Sequence, residues 1–463
     1  MSISYEAIII GTGQAGPPLA RRLAAAGMKI AIVERALFGG TCVNTGCIPT
    51  KTMVASAYTA RLAARGAEFG VQTATPISVD MKRVKARKDA ISGQSNQSVE
   101  SGLRSTPNCT VYQGHARLES PNEVSVGDVR LSAAKIFINV GGRAVLPAIP
   151  GLDEIPYLNN SSMMRVDFLP QHLVILGGSY IGLEFGQMFR RFGSEVTIIE
   201  TGPRLIPRED EDVSAAILDI LEREGIRVLL GTKCKRFARQ GDEIVVSVET
   251  AGTSSEIRGS HVLVATGRRP NTDDLGLEKA GVGVDARGFI QVDDQLRTNV
   301  PGIWAMGDCN GKGAFTHTSY NDFEIVAANL LDNDARKVSD RILTYALYID
   351  PPLGRAGMTE TEARLAVKIS DRKVLMGKRP MTKVGRAVEK GETFGFMKVL
   401  IDADTQRIMG AAVLGTGGDE AIHSILDVMY ADKPYTVIQR AVHIHPTVSE
   451  LIPTMLGELK PLE

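Results

Sequence analysis

The sequence predicts an α/β protein with two similar βαβ domains and a C-terminal α+β domain, and three observations support this. At 463 residues the chain is too long for one hydrophobic core. A strand, a glycine-rich turn, a helix and a second strand occur near the N-terminus and again in mid-chain. From about residue 340 onward, short strands and helices follow without another such turn.

The first βαβ unit lies within the first 34 residues. Ala7–Ile10 predicts a short buried strand, GTGQAG at residues 11–16 a tight turn, and residues 19–25 a helix that ends at Gly27. A second strand over residues 29–33 leads to Glu34. Such glycines let the backbone approach a pyrophosphate at the helix N-terminus, and the acid can accept ribose hydroxyls. This context predicts a dinucleotide site.

The second unit repeats the order with a strand at 173–176, the turn GGSYIG at 177–182, a helix ending at Gly193 and a strand at 196–199. Glu200 follows the first glycine of its turn at the same distance as Glu34 does. Ser179 replaces the middle glycine, and its small size keeps the approach open. A carboxylate at position 200 favours NADH, because it repels the 2′-phosphate of NADPH, although Arg204 and Arg208 can offset this.

Further elements are expected between the second unit and the C-terminal domain. Residues 210–224 have helical spacing of apolar residues, and 244–248 with 255–257 flank a turn and predict a hairpin. The acidic run 209–212 is expected to be a solvated helix start.

Composition and charge limit the possible partners. Hydrophobic residues make up 43%, as in an ordinary globular protein, and 53 basic residues balance 53 acidic ones. Nothing in this balance favours nucleic acid or an anionic membrane. The N-terminus lacks the pattern of a signal peptide, and no apolar run is long enough for a membrane helix. We therefore expect a cytoplasmic protein.

Two of the five cysteines, Cys42 and Cys47, are separated by four residues. A metal site usually needs four ligands, and the sequence shows no second cysteine pair, so we expect no bound metal. Two thiols at this spacing can close a small disulfide ring. Pro49 is tolerated in the first turn of a helix, whose N-terminus would stabilise a thiolate. The pair is thus a candidate redox centre.

His445 and Glu450 form the second candidate constellation. A dithiol enzyme needs an acid/base near pH 7, and histidine fits this without tuning. Glu450 could hold the imidazole in one tautomer. His443 is the rival on the same segment, but it lacks the following Pro-Thr.

The run GGTCVNTGCIPTK at residues 39–51 resembles the redox motif of the class I pyridine nucleotide–disulfide oxidoreductases, which include dihydrolipoamide dehydrogenase, glutathione reductase and mercuric reductase. The resemblance extends along the whole chain. Its other motifs are GHA at 114–116, a degenerate VGG at 140–142, ATG at 265–267, TNVPGIWAMGD at 298–308 and HPTVSE at 445–450.

The resemblance implies that NAD(P)H reduces FAD, and that FAD reduces the Cys42–Cys47 disulfide; the expected preference for NADH rests on Glu200. Cys47 would be the flavin-proximal thiol and Cys42 the thiol that attacks substrate, with Lys51 near the flavin and paired with Glu184. His445, oriented by Glu450, would act on the dithiol of the other subunit, which implies a homodimer. The residues expected to bind the cofactors are Gly11, Gly13, Gln14, Ala15, Gly16, Glu34, Arg35, Gly40, Thr41, Lys51, His115, Ala116, Gly141, Gly177, Ser179, Tyr180, Ile181, Gly182, Glu184, Glu200, Gly267, Gly307, Asp308, Ala314, Phe315 and Thr316.

The resemblance also implies a domain order. Residues 1–147 and 271–338 would form the FAD-binding domain, 148–270 the Rossmann-like NAD(P)-binding domain and 339–463 the dimerisation domain.

GDCNG at 307–311 and YNDF at 320–323 resemble a mercuric-reductase-like subgroup that includes the reactive-chlorine-resistance flavoprotein. The leading hypothesis is an enzyme that reduces a disulfide or a thiol-reactive metal ion, such as Hg(II) or Cu(II). The alternatives are a dihydrolipoamide dehydrogenase and a flavoprotein redox sensor that does not turn over. The sequence leaves the electron acceptor open.

Overall fold

The computed structural model describes residues 2–74, 76–370 and 372–462. Up to residue 144, the strands and helices are β1 (Ile3–Ser4), β2 (Ala7–Ile10), α1 (Gly16–Ala25), β3 (Ile30–Glu34), α2 (Gly40–Asn44), α3 (Cys47–Ala64), α4 (Met81–Arg104), β4 (Cys109–Gln113), β5 (Ala116–Ser120), β6 (Glu123–Val126), β7 (Val129–Ser132), β8 (Lys135–Ile138) and β9 (Gly142–Ala144). From there to residue 270 they are β10 (Tyr157–Leu158), α5 (Asn160–Met163), β11 (His172–Leu176), α6 (Tyr180–Phe192), β12 (Glu195–Ile199), α7 (Glu211–Arg223), β13 (Arg227–Leu229), β14 (Thr232–Gln240), β15 (Glu243–Thr250), β16 (Thr253–Gly259), β17 (His261–Val264) and β18 (Arg268–Pro270). The remaining ones are β19 (Ile303–Ala305), α8 (Thr316–Ala327), β20 (Thr344–Leu347), β21 (Leu353–Gly357), α9 (Glu360–Ser370), β22 (Val374–Pro380), α10 (Gly385–Glu389), β23 (Phe396–Asp402), β24 (Ile408–Leu414), α11 (Gly418–Tyr430), α12 (Thr436–Gln439), α13 (Leu451–Leu456) and β25 (Lys460–Pro461).

Two five-stranded parallel sheets form the centres of the predicted βαβ units. Their strand orders are β19-β8-β2-β3-β4 and β10-β17-β11-β12-β13. In each sheet the central strand leads into a glycine-rich turn, and the neighbouring strand ends at or just before the predicted acid. All four residues of β2 are buried, as expected of a parallel strand covered on both faces. The two predicted units are therefore confirmed.

Four glycines give the two units the same close packing. Gly11 and Gly177 have φ angles of +103° and +108°, and a Cβ there would lie 2.2 Å and 2.4 Å from a backbone carbonyl oxygen just after β8 and β17. A Cβ on Gly16 or Gly182 would lie 2.3 Å or 2.0 Å from the carbonyl oxygen of the first glycine of its own turn. No side chain fits at these distances, so both helices start against the backbone of the sheet.

The two segments that link the parallel sheets pair with each other. β9 and β18 form a two-stranded antiparallel ribbon, and the amide of Val145 donates to the carbonyl of Gly267 over 3.0 Å. The degenerate VGG motif leads into one strand and the ATG motif into the other. β19, beyond the ribbon, returns to the first parallel sheet beside β8.

The C-terminal part of the chain is built on an antiparallel sheet of order β20-β21-β24-β23-β22-β25. Helices α11 and α13 pack on it and contribute to one apolar core with β23 and β24. The predicted hairpin is also present as β15 and β16 in a separate three-stranded sheet. The α/β class with a C-terminal α+β sheet is thus confirmed.

The acidic run at 209–212 is not the solvated helix start that the sequence predicts. Glu209 and Asp210 are only 2% exposed, and they contact Arg355 and Lys398, which are each 1% exposed. The Lys398 Nζ atom also lies 2.8 Å from an oxygen of Asp212. The expectation is wrong because the C-terminal sheet supplies two buried cations that no local pattern reveals.

None of the helices within the described ranges is both long enough and apolar enough to cross a membrane.

Candidate active site

A cavity of about 670 Å³ lies at the carboxyl ends of the strands of the first parallel sheet. Ligands of such sheets bind at this edge. The predicted residues that line it are Gly11, Gly13, Gln14, Glu34, Arg35, Gly40, Thr41, Cys42, Cys47, Lys51, His115, Ala116, Gly141, Tyr180, Ile181, Glu184, Asp308, Ala314, Phe315 and Thr316.

The other predicted cofactor residues lie outside this lining. Ala15 and Gly16 are buried beneath the first turn, and Gly307 is buried with its amide donating to Asp322 over 2.8 Å. Gly267 belongs to the segment leading into β18. The remaining ones, at the second glycine turn and the end of β12, are Gly177, Ser179, Gly182 and Glu200.

The two cysteines come from neighbouring helices that converge on this cavity. Cys42 lies in the one-turn helix α2, and Cys47 is the first residue of α3, with Pro49 in its first turn. Both are free thiols. The Cys47 sulfur lies 3.1 Å from the Oγ1 atom of Thr316, at the start of α8. The fold thus holds one thiol of the pair against a hydroxyl from a distant segment.

The two thiols have opposite electrostatic character. A hydrogen bond from the Cys42 thiol lowers the pKa of Cys47 from 9.0 to about 6, with help from Thr316 and Lys51 and against the effect of burial. The same interaction with Cys47 and burial together raise the pKa of Cys42. The pair therefore loses its first proton more readily than a free thiol does, and the negative charge is favoured on Cys47 over Cys42.

Beside the thiols, an ion pair joins α3, which follows the first βαβ unit, to α6 of the second unit. The Lys51 Nζ atom on α3 lies 2.9 Å and 2.7 Å from the two carboxylate oxygens of Glu184 on α6. The Glu184 side chain is only 8% exposed, whereas that of Lys51 is 33% exposed. Tyr348, which follows β20, donates its backbone amide to Glu184 over 3.1 Å.

The opposite part of the cavity is lined by polar groups suited to hydroxyls and phosphates. Glu34 accepts the amide of Thr12 at 3.0 Å and that of Ala36 at 2.9 Å, so the carboxylate fixes the first turn. The Arg35 guanidinium and Asp274 form an ion pair at 3.0 Å. These contacts place an acid and a cation at one end of the cavity.

Asp308 is a second lining acid. Its carboxylate lies 3.3 Å from a guanidinium nitrogen of Arg268, which also donates to the carbonyl of Gly142 over 2.7 Å. Burial raises the pKa of Asp308, although Arg268 opposes the shift. Arg268 lines the cavity and is absent from the sequence-based candidates.

Asn139, at the end of β8, is another residue that the sequence-based candidates omit. Its Oδ1 atom accepts the amide of Gly16 over 3.1 Å, and its Nδ2 atom donates to the carbonyl of Met306 over 2.9 Å. The side chain therefore joins the first glycine turn to the segment before Asp308. A polar residue directly after the buried run KIFI is the signal that could have identified it.

The cavity fits FAD. The close contacts at Gly11 and Gly16 leave the turn bare for a pyrophosphate, with α1 starting there. Glu34 and Asp308 offer carboxylates to hydroxyls at two separate points of the lining. The volume is that of a cofactor site, and the thiols form part of its wall.

His445 and Glu450 contact each other but do not line this cavity. The His445 Nδ1 atom lies 3.0 Å from a Glu450 oxygen, and the imidazole side chain is 82% exposed. Val442 and Ile444 nearby are 101% and 80% exposed. Within one copy of the chain, His445 and Glu450 therefore lie outside the cavity that the thiols line, and exposed apolar side chains lie near them in the chain.

The second glycine turn has its own acid. Glu200 accepts the amides of Gly178 and Gly202, each over 2.7 Å. The guanidinium of Arg204 is bonded to the carbonyl of Pro207 over 3.1 Å. The carboxylate therefore lies against the second glycine turn.

Two models of known protein families match nearly the whole chain. Residues 5–322 match the family model described as pyridine nucleotide-disulphide oxidoreductase, and residues 343–456 match the dimerisation domain of the same family.

The chain is similar in sequence to enzymes with several different names. The probable pyridine nucleotide-disulfide oxidoreductase RclA of Escherichia coli (strain K12) is 36% identical, with 98% of this chain and 99% of that protein covered. Dihydrolipoyl dehydrogenase of Thermus scotoductus is 35% identical, with 96% and 95% covered. Mercuric reductase of Streptomyces lividans is 32% identical, with 97% and 94% covered.

The structure agrees with these relationships. It superimposes with a TM-score of 0.89 and 35% identity on the HOCl-induced flavoprotein disulfide reductase RclA from Escherichia coli, with 98% of this chain and 99% of that one covered. A Cu(II) complex of the same reductase matches with a TM-score of 0.88 and 34% identity over the same shares of the two chains. This chain belongs to the pyridine nucleotide-disulphide oxidoreductase family, whose members are FAD-dependent enzymes with NAD(P)H as electron donor.

Proposed function

We propose that this enzyme uses NADH to reduce a disulfide or a thiol-reactive metal ion, Hg(II) or Cu(II), through Cys42 and Cys47. The observation that carries the proposal is the asymmetric dithiol in the wall of the FAD-sized cavity, with the pKa of Cys47 lowered to about 6. A structural cysteine pair would have no need of a thiolate beside a cofactor site.

The domains follow from the same proposal. Residues 1–147 and 271–338 hold FAD, 148–270 bind the nicotinamide nucleotide and 339–463 form the dimer. When bound, FAD supplies a two-electron carrier that accepts a hydride from NADH and reduces a neighbouring disulfide. Lys51 and Glu184 orient the reacting groups at the junction of the two dinucleotide sites. Glu200 accepts the ribose hydroxyls of NADH and repels a 2′-phosphate.

For a disulfide substrate, the chain's own residues account for each bond. The Cys42 sulfur attacks one substrate sulfur and forms a mixed disulfide, and the first substrate thiolate leaves and is protonated. The Cys47 thiolate then attacks the Cys42 sulfur, which releases the second substrate thiolate and re-forms the Cys42–Cys47 disulfide. The substrate disulfide gains two electrons and the dithiol loses two. For a metal ion the thiolates are the ligands, and the dithiol loses two electrons as the Cys42–Cys47 disulfide re-forms. These two electrons reduce one Hg(II) ion to Hg(0) or two Cu(II) ions to Cu(I).

Attack by Cys42 needs a base, because the raised pKa keeps its thiol protonated at pH 7. We assign this role to His445 of a second copy of the chain, oriented by Glu450. Three observations support a homodimer: the match to the dimerisation domain, the exposure of His445 and the exposed apolar side chains of Val442 and Ile444.

The acceptor class is supported by the names of the similar proteins. One is called an HOCl-induced flavoprotein disulfide reductase, and it has been solved with Cu(II). Others are called mercuric reductases.

The first test is an anaerobic titration of the FAD-loaded enzyme with NADH. We expect a long-wavelength absorbance band from the Cys47 thiolate beside the flavin, and we expect Cys47→Ser to lose it. A screen for NADH oxidation with disulfides, Hg(II) and Cu(II) then identifies the acceptor. Flavin that bleaches without such a band would show that the thiols are not coupled to it, and the proposal would fail.

Dihydrolipoamide dehydrogenase activity is the second candidate, since the 35% identical Thermus scotoductus relative carries that name. NAD⁺ reduction by dihydrolipoamide, at a rate above that of NADH oxidation by every disulfide or metal ion, would favour it. A redox sensor is disfavoured by the His445–Glu450 pair, because a sensor needs no acid/base for repeated cycles.

A further inference from the structure

Tyr348 contacts both members of the Lys51–Glu184 pair. Its ring lies over the Lys51 ammonium, with 4.6 Å between Nζ and the ring centroid. Its backbone amide donates to the Glu184 Oε1 atom over 3.1 Å. One residue after β20 thus contacts both members of an ion pair that joins α3 to α6.

The same tyrosine separates two cavities. Tyr348 lines the large cavity, and it also lines a second one of about 260 Å³ at the junction of α3, α7 and the C-terminal part of the chain. Lys51 and Glu184 line only the large cavity. The smaller one is surrounded by charged side chains, among them Asp350 and Glu392. Tyr348 therefore borders this polar space, and its ring contacts the Lys51 ammonium of the ion pair.

We propose that Tyr348 is a positioning residue for electron transfer from the nicotinamide. Its ring holds the Lys51 ammonium against Glu184 and keeps the water of the smaller cavity from competing for the pair. The proposal rests on the function proposed above, in which Lys51 and Glu184 orient the reacting groups. Lysine has a flexible stem, so a fixed ammonium needs contacts on more than one side.

The ring, and not the hydroxyl, provides this contact. Within the described ranges, the Tyr348 hydroxyl makes no hydrogen bond to another protein group. A cation–π contact depends on the ring face, which phenylalanine retains. Leucine fills part of the same volume but has no ring face to offer. This difference makes the proposal testable with two substitutions at one position.

The experiment compares Tyr348→Leu and Tyr348→Phe with the FAD-loaded wild-type enzyme. Two quantities are measured: the anaerobic stopped-flow rate constant for flavin reduction by NADH, and the visible absorption spectrum of the oxidised flavin. We expect Tyr348→Leu to reduce the rate constant roughly tenfold and to shift the flavin spectrum, without changing the KM for the disulfide or metal acceptor. Tyr348→Phe should recover most of the rate. Tyr58→Leu is the matched control, because Tyr58 lines the smaller cavity alone, and it should leave the rate unchanged.

Equal rates for wild type and Tyr348→Leu would overturn the proposal, as would a Tyr348→Phe variant as slow as Tyr348→Leu. An equal loss in Tyr58→Leu would also overturn it, because the cause would then be an opened cavity. If Tyr348→Leu does not fold with FAD, Tyr348→Met is measured under the same criteria. Failure of the proposed function has a different signature: wild-type enzyme that NADH reduces but that passes electrons to no disulfide or metal ion.

Discussion

The Oγ1 atom of Thr316, the first residue of α8, lies 3.1 Å from the sulfur of Cys47. Two segments far apart in the chain therefore share one hydrogen bond at the redox centre. This bond is one of the contacts that lower the pKa of Cys47.

Replacing Thr316 by valine should raise the pKa of Cys47 above its value of about 6, by about one unit, because the thiolate loses a hydrogen-bond donor. The thiolate would then form at a higher pH. The measurement is the pH dependence of the long-wavelength band in the NADH-reduced enzyme. Thr316→Ser keeps the hydroxyl and should titrate like the wild type. An unchanged midpoint in Thr316→Val would mean that the hydroxyl does not act on the thiolate.

Removing the imidazole of His445 should slow turnover with a disulfide by about 10² to 10⁴-fold and leave flavin reduction by NADH unchanged. The reason is that Cys42 loses its base while the cofactor cavity stays intact. Steady-state assays and anaerobic stopped-flow reduction of His445→Ala separate the two steps. Slower flavin reduction in this variant would contradict the prediction, because His445 would then act on electron transfer from NADH and not on the reaction of Cys42 with substrate.

Mixing inactive subunits tests whether the site is shared between two chains. Cys42→Ser and His445→Ala chains, co-expressed in equal amounts, should recover about a quarter of the wild-type activity, because half of the dimers are mixed and each has one complete site. If both residues act within one chain, the mixture stays inactive.

Glu200→Gln should lower the preference for NADH over NADPH. The side-chain amide has one oxygen where the carboxylate has two, so it keeps the hydrogen bond from only one of the backbone amides of Gly178 and Gly202, and it no longer repels a 2′-phosphate. The ratio of kcat/KM for the two nucleotides measures this, and we expect it to fall about tenfold. Glu34→Gln is the control at the other dinucleotide site and should leave the ratio as it is. An unaltered ratio in Glu200→Gln would assign nucleotide choice to other residues.

Lys398→Met should destabilise the fold by about 3 to 5 kcal/mol, because it removes the buried cation that Asp210, Asp212 and Glu360 share and leaves Arg355 to balance the buried Asp210 carboxylate. The Lys398 ammonium is 1% exposed and lies 2.9 Å from Asp210 and 2.8 Å from Glu360. Lys378→Met is a matched control, since Lys378 pairs with Asp212 at 2.6 Å but is 39% exposed, and it should cost less than about 1 kcal/mol. Urea unfolding measures both. Similar losses in the two variants would contradict the assigned role of burial.

The same substitution has a predictable pH dependence. Against the effect of burial, Lys398 and neighbouring cations lower the pKa values of Asp210 and Glu360 below 3.8 and 4.5. The stabilisation is complete above these ordinary values and is lost as the pH falls through the lowered ones. The stability difference between wild type and Lys398→Met should therefore be constant near pH 7 and shrink below about pH 4. A gap that widens in acid would contradict this assignment.

The sequence predicts best what is encoded locally. The glycine turns, the helix start at Cys47 and the hairpin at β15 and β16 each depend on residues close together in the chain. Gly11 is the clearest case, because a positive φ and a backbone contact leave no other residue possible.

Residues whose role depends on contacts with distant segments cannot be identified from local sequence patterns. Asn139, Arg268 and Tyr348 lie in or beside the cavity, yet each is an ordinary polar or aromatic residue in its own segment. Glu209 and Asp210 carried a misleading local signal, since acids before a helix usually face water. Their burial is decided by Arg355 and Lys398, which arrive more than a hundred residues later.

The ribbon of β9 and β18 has a consequence for engineering. Because these strands lie side by side, residues 145–267 depart from the rest of the chain and rejoin it at one spot. A segment with adjoining ends can be excised and replaced by one of another length without stretching its surroundings. We expect a chimaera that receives this segment from an NADPH-using relative to change its coenzyme, provided that Glu184 is retained to pair with Lys51, and Glu209, Asp210 and Asp212 to pair with the buried Arg355 and Lys398.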